Sequence, residues 1–399
     1  MRLKIAEDLA LPLETATETF LIVGKRGTGK SSTATRLAEQ MIHRHIPVAV
    51  LDPVDVWWGL KSGLTGSPEG GLGVYVFGGE HADLPLEPSA GILMADVLVD
   101  HRVSAVFVLR TFSNRDKARF VSDFAEQLFK RNREVLHLFA EEAHELMPQQ
   151  TLYKGTGEEE MLGRMLRLQK LGRTSGIGVT CITQRPASLS KNATTQAEIL
   201  IAHRILGPQD RDAIEDWIKH HRQEAGKKEV LASLSELKTG EAWLWAPDFP
   251  EDKPLGLQRV KILLPETFDS RRTPKPGERR REPSGIAPVD LEKLRSKMAA
   301  TIERAKQQDP RALRTEVAAL RQELSNLRMH HTLAKEKLAA RESPRETAIL
   351  KAAEKASLTR LEKAIERLDK IRDRMTQAQQ IVTTEVGLLA DAIKKAGQV

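Results

Sequence analysis

The chain has 399 residues, more than one core ordinarily organises, so two or three folding units are expected. Its formal charge of +7 is unevenly spread: residues 1–269 carry 33 basic against 37 acidic side chains and residues 270–399 carry 29 against 18, so the basicity gives no argument for a nucleic-acid ligand of the N-terminal part. The single cysteine, Cys181, excludes an intramolecular disulfide and a thiolate-rich zinc site. The absence of an apolar run of about 18 residues, or of an early basic-then-apolar segment, predicts neither a membrane span nor a signal peptide and makes a cytoplasmic protein the expectation.

Residues 1–19 predict no more than a short strand or arm. The apolar run Phe20-Leu21-Ile22-Val23 then leads into Gly24-Lys25-Arg26-Gly27-Thr28-Gly29-Lys30-Ser31, followed by a helix-like stretch, Ser32 to His43. This fits G-x-x-x-x-G-K-[ST] at every fixed position and sits in the strand–loop–helix context that a phosphate cradle needs. Glycines let backbone N–H groups turn inward, a lysine reaches the β- and γ-phosphates, and a hydroxyl ligates Mg²⁺. Val48 to Leu51 reads as a buried parallel strand ending at Asp52-Pro53, which completes a βαβ unit.

A Gly-rich loop over 59–73 precedes strand Val74 to Phe77, helix Ser89 to Val99, strand Ala105 to Leu109 and amphipathic helix Asp116 to Arg131. Strand Val135 to Ala140 runs into Glu141-Glu142. Beyond a polar loop come helix Glu158 to Gly172, strand Gly178 to Thr183, Gln184-Arg185-Pro186 and strand Ile199 to Leu206. A helix capped by Asp210 follows, then strands at Gly240 to Trp245 and Val260 to Leu264. Strands alternating with helices in this way predict an α/β fold with a doubly wound, mainly parallel sheet. Its ligands should sit at the carboxyl ends of the strands, where the P-loop and Glu141-Glu142 both fall. Cys181 reads as a small core residue, and Trp57-Trp58 as packing beside this sheet rather than a base-stacking platform.

Residues 1–268 are therefore expected to form the nucleotide-binding unit. Residues 269–289, with four prolines and six basic residues, read as a linker that is either a solvated hinge or a phosphate-backbone contact. Residues 290–399 read as helical: Leu313, Val317, Leu320, Leu324 and Leu327, and later Leu361, Ala364, Leu368, Ile371 and Met375, alternate steps of three and four. That spacing predicts a coiled coil, between subunits or as a hairpin, with ordinary amphipathic helices as the alternative.

Hydrolysis needs a second carboxylate on Mg²⁺ and an acceptor that orients water. Glu141, toward the metal, and Glu142, toward the water, can supply both. Residues 161–197 hold six basic residues and no acid, which suits either a trans-acting arginine or a nucleic-acid backbone.

Taken together, GKRGTGKS, FAEEAH, LGRTSGIGVTCITQRPASLSK and AHRILGPQDRDAI make residues 18–265 resemble the HerA/FtsK branch of RecA-type P-loop ATPases, the HerA-like group above all. The resemblance implies an ATP-hydrolysing DNA translocase or helicase, a homo-hexameric ring threading duplex DNA, with ATP and Mg²⁺ between subunits. It implies that Gly24 to Ser32, Ser32 included, hold the nucleotide, with Lys30 and Ser31 on phosphate and Mg²⁺. It also implies that Glu142 is the catalytic carboxylate, that Gln184 senses the γ-phosphate, and that Arg173 is a candidate trans-acting finger. Where the group often has Asp-Glu, this chain has Glu141-Glu142. The group's N-terminal β-barrel is not expected in the roughly 20 residues before the P-loop, and the C-terminal coiled coil is an addition that could dock a nuclease or other protein. A second class of function stays open, a nucleotide-gated coiled-coil scaffold in a DNA-processing, packaging or defence complex.

Overall fold

The computed structural model describes residues 2–271 except 152, 154, 222–225 and 248–254, then residues 282–290, and scattered positions beyond. The chain divides into two units, Met1–Met298 and Ala299–Val399. The positions of the heptad seam lie outside the described residues.

The first unit opens with a short antiparallel hairpin, β1 (Arg2–Lys4) and β2 (Ala10–Pro12). The P-loop strand β3 (Thr19–Val23) leads into α1 (Lys30–Ile42), followed by β4 (Val48–Asp52), β5 (Val74–Phe77), α2 (Gly91–His101) and β6 (Ser104–Val108). Next come α3 (Asn114–Arg131), β7 (Leu136–Ala140), α4 (Glu158–Leu171), β8 (Ile177–Thr183), α5 (Lys191–Thr195) and β9 (Ile199–Ala202). Helices α6 (Pro208–His220) and α7 (Lys227–Ser233) precede β10 (Glu241–Ala246) and β11 (Leu255–Lys261).

Nine strands form one sheet in the order β11-β10-β9-β3-β8-β7-β4-β6-β5. Every pairing from β9 to β5 is parallel, and β10 and β11 add an antiparallel edge. The fold is thus a mixed, mostly parallel α/β sheet, as the alternation of strands and helices predicts.

The inner strands are buried on both faces because helices cover both, which is why they read as continuous apolar runs. Phe20 and Ile22 of β3 join Ala34, Leu37 and Met41 of α1 in one cluster. Phe107 of β6 packs against Phe77, Phe120 and Phe124, tying α3 to the sheet. Cys181 is fully buried, and burial pushes its thiol up to about 12, so it is an unreactive core residue.

One local expectation fails. Asp210 does not cap α6: Gly207 stands at the cap with Pro208 at the first helical position, and the Asp210 carboxylate instead accepts from Ala187 N at 3.2 Å. In the basic run over 161–197, three side chains are met by acids and a fourth by a ring. Arg164 pairs with Glu126 and Glu160, Lys191 with Asp216 and Arg173 with Glu18, while Arg167 lies over the Phe129 ring.

The chain leaves β11 along α1. Buried Glu39 accepts from the backbone N–H groups of Glu266 and Thr267 and from the Thr267 hydroxyl, at 2.7–3.0 Å. Residues 282–290, inside the stretch read as a linker, lie on the loop that follows β4: Ala287 N donates to Lys61 O, and the Ser284 hydroxyl donates to Gly66 O at 2.8 Å. The part described is docked rather than solvated.

Candidate active site

The site begins with the turn between β3 and α1. Gly29, with φ 112°, starts α1 from the left-handed region, and a Cβ there would sit 3.3 Å from the Gly240 backbone. That close approach braces the loop from the far edge of the sheet: Gly240 N donates to Thr28 O at 3.0 Å, and Lys25 N to Arg204 O at 2.9 Å.

His203, fully buried at the end of β9, lies beneath the loop. Its Nδ1 meets Glu241 O at 2.9 Å and its Nε2 meets Thr33 Oγ1 at 2.8 Å. A carbonyl only accepts, so Nδ1 carries the proton and the neutral ring takes Thr33's hydrogen at Nε2. Burial lowers the pKa to about 4, the Glu241 carbonyl working against it and the Lys30 ammonium with it. Nothing local in the chain signals this histidine, whose partners lie 38 and 170 residues away.

Lys30 opens α1, only 7% exposed, and forms no ion pair among the described residues. Ser31, beside it, donates to Glu141 Oε1 at 3.2 Å. Glu141 follows β7, two strands from β3 with β8 between, and is 3% exposed. Its second oxygen, Oε2, accepts from the Trp57 indole N–H at 2.8 Å. The turn bearing Trp57 is built on Asp52, the last residue of β4, whose carboxylate accepts the N–H groups of Val54, Asp55, Val56 and Trp57 at 2.7–2.9 Å. Desolvation, reinforced by Glu141, raises Asp52 to about 6 in spite of those donors. Trp57 and Trp58 are both buried, Trp57 against Phe139. Packing was expected of them; the polar use of the Trp57 indole was not.

Glu142 has φ 43°, left-handed backbone that a glutamate rarely adopts. This kink directly after β7 turns its side chain back over the strand ends, where Oε2 is buried without a hydrogen-bond partner among the described residues. His144 Nδ1 lies 3.4 Å from it but is engaged with Thr183 Oγ1 at 3.0 Å. Burial raises the Glu142 pKa; Lys30 pulls it down, Glu141 pushes it up, and the Gln184 backbone N–H pulls it down. Gln184 sits directly past the carboxyl end of β8.

Lys30, Ser31, Glu141, Glu142 and Gln184 therefore gather at one end of three strands. Lys25, Arg26 and Gly27 form the exposed tip of the loop, Thr28 is buried beneath it, and Ser32 is half-buried on α1. Arg173 is elsewhere, on the turn before β8 at the amino end of the sheet, 67% exposed and 3.4 Å from Glu18.

The donor set suits a nucleotide with a hard divalent cation. It offers a buried ammonium with no ion pair among the described residues, a loop closed to side chains at Gly24 and Gly29, a serine hydroxyl touching a carboxylate, and a carboxylate oxygen unpartnered among those residues. Among the described residues no three His, Cys, Asp or Glu side chains cluster as a metal cage, so a cation here would be completed by phosphate and water.

No family model matches the chain. Residues of the chain are 28% identical over 152 residues to a probable helicase, MJ1565, of Methanocaldococcus jannaschii, covering 38% of this chain and 25% of that protein. They are 31% identical over 106 residues to the DNA double-strand break repair helicase HerA of Pyrococcus furiosus, covering 26% and 17%. The matched stretches are similar to HerA-type helicases. The chain spans a quarter or less of the length of these curated relatives. Among solved structures it is similar to the genome packaging NTPase B204 of Sulfolobus turreted icosahedral virus 2, at 15% identity and TM-score 0.40, over 62% of this chain and 99% of that one. It is also similar to VirB4 of Thermoanaerobacter pseudethanolicus, at 13% identity and TM-score 0.43, over 66% and 96%.

Proposed function

We propose that the chain is an ATP-hydrolysing motor that translocates on, or unwinds, duplex DNA as a homo-hexameric ring. The observation that carries this reading is Glu142: a half-buried carboxylate with one buried oxygen unpartnered among the described residues, on strained backbone, beside Lys30 and the Ser31–Glu141 pair. Strain kept at a strand end is characteristic of a group held for chemistry rather than for packing. The curated relatives named as helicases support DNA as the track.

In this reading Gly24 to Ser32 hold the phosphates, and Ser31 with Glu141 hold Mg²⁺. Bound MgATP supplies the bond to be broken and the cation that neutralises its oxygens. Glu142, raised by burial yet favoured as an anion by Lys30, accepts the proton of the attacking water. Gln184, bonded through its backbone to Glu142, is set to report the occupied state to β8. Arg173 lies at the wrong end of β8 to serve its own site, so it acts, if at all, on a neighbouring copy. Residues 1–268 form the motor, and residues 290–399 serve assembly or docking of a nuclease or other protein.

The test is ATP turnover with and without duplex DNA, together with images of the protein in an ATP analogue and DNA. Strong stimulation by DNA and a ring with density through its centre are expected. Equal rates with and without DNA, from a protein that stays monomeric with nucleotide, overturn the motor reading. Lys30→Ala and Glu142→Gln should both abolish DNA-dependent function. A nucleotide-gated scaffold would tolerate the second.

A further inference from the structure

We propose that Trp57 is a positioning residue for the metal-facing carboxylate, fixing through its indole N–H the orientation in which Glu141 is presented to the cation. The proposal rests on the nucleotide-site reading above.

A glutamate has one more rotatable bond than an aspartate, and a carboxylate that can swing is a poor partner for a cation demanding near-ideal octahedral geometry. In this chain both oxygens of Glu141 are committed to different neighbours. Oε1 takes the Ser31 hydroxyl at 3.2 Å and Oε2 takes the Trp57 N–H at 2.8 Å. The indole has one donor and no acceptor, so it holds one carboxylate oxygen and thereby fixes the plane and direction of the group, whichever of the two equivalent oxygens it takes. With Oε2 pinned, Oε1 is the oxygen left to face the cation alongside the Ser31 hydroxyl.

The pin is itself held rigidly. Trp57 is 1% exposed and its ring packs against Phe139, on the strand that ends in Glu141. Its backbone is fastened by the Asp52 carboxylate, which takes four successive N–H groups and leaves the 53–57 turn little freedom. The outer face of the ring is closed by Arg271, whose guanidinium carbon lies 5.0 Å from its centroid. Ser270, next to Arg271, donates to Val56 O in the same turn. The arrangement matches the general logic by which outer groups orient metal ligands, whose removal typically weakens metal affinity 10- to 100-fold.

The test uses Mn²⁺ as a stand-in for Mg²⁺, titrated by electron paramagnetic resonance into the full chain with ADP. Trp57→Phe keeps the ring and deletes the donor. The expected result is Mn²⁺ affinity weakened roughly 10-fold or more, with ADP affinity in EDTA unchanged, and no further loss when Trp57→Phe is added to Glu141→Gln. Should Trp57→Phe fail to fold, benzothienylalanine at the same position replaces N–H by sulfur with nearly the same shape, and the same loss is expected. A folded variant of either kind that binds Mn²⁺ within twofold of the parent overturns the role of Trp57 and leaves the nucleotide site standing. A parent chain that binds no more Mn²⁺ than ADP alone overturns both.

Discussion

The two ends of the parallel sheet use their buried polar groups differently. At the amino end, several are joined to partners distant in sequence. His137 bridges Ala16 O and Thr180 Oγ1, each at 2.7 Å, and Thr19 donates to Gln196 O at 2.7 Å while accepting from Glu198 N at 3.0 Å. At the carboxyl end, Glu142 Oε2, Asp55 Oδ1 and Arg204 Nε are buried without hydrogen-bond partners among the described residues. The left-handed residues differ in the same way. Arg102 stops α2 at its C-terminus, where that conformation is the ordinary helix ending, whereas Glu142 and Asp55 follow strands, where it is not. Among the described residues, buried atoms without hydrogen-bond partners occur at both ends, with Asn132 Oδ1 and Arg102 Nη1 at the amino end, but only the carboxyl end sets one beside Lys30 and the Ser31–Glu141 pair.

The largest expected effect tests that division directly. Glu142→Gln should lower DNA-stimulated turnover by about 10²- to 10⁴-fold while leaving the melting temperature equal or slightly higher, since it removes a charge whose Oε2 is buried without a partner among the described residues. A variant that loses stability and activity together would erase the contrast. Arg173 sharpens it from the other end. Arg173→Ala and Lys30→Ala should each be inactive alone, but mixing them should restore part of the activity, because a site lacking its own lysine can still lend an arginine. No recovery in mixed assemblies would mean that Arg173 has only its surface pair with Glu18.

Stability should respond at the amino end. His137→Leu leaves a carbonyl and a hydroxyl unpaired in the core and should cost about 2–4 kcal/mol in urea melts, with turnover per folded molecule unchanged. Acid exposes the same logic. His137 and His203 are both lowered from 6.5 to about 4 by burial, so the unfolded chain takes up their protons first. Their contribution is complete above pH 6.5 and is lost as pH falls toward 4, by up to about 3 kcal/mol each. Asp52, raised from 3.8 to about 6, works in the other direction and returns a similar amount to the folded state over pH 6 to 4. Melts across this range should therefore show a net loss equivalent to about one histidine, flattened by His137→Gln and steepened by Asp52→Asn.

The sequence was most informative where the chemistry is local. Strand, loop and helix around Gly24 to Ser31, and an apolar run ending in two acids, need only neighbouring residues to be legible, and the fold class followed from their alternation. What escaped was held by partners distant in sequence. The Asp210 carboxylate meets Ala187, Glu18 answers Arg173, and Glu126 answers Arg164, so a segment without acids of its own finds them only in the fold. Trp57 was read for its apolar ring, since nothing in Asp52-Pro53 announces that the turn will deliver its nitrogen to a residue 84 positions later.

The Glu39 latch has a mechanical consequence. Residues 266 and 267 hang from the middle of α1, and α1 begins at the phosphate loop. Tension on the chain beyond β11 would be borne first by that helix rather than peeled off the antiparallel edge strand by strand. A helix pulled along its flank is loaded in shear, so strain at the exit would register at Lys30 before any strand gave way.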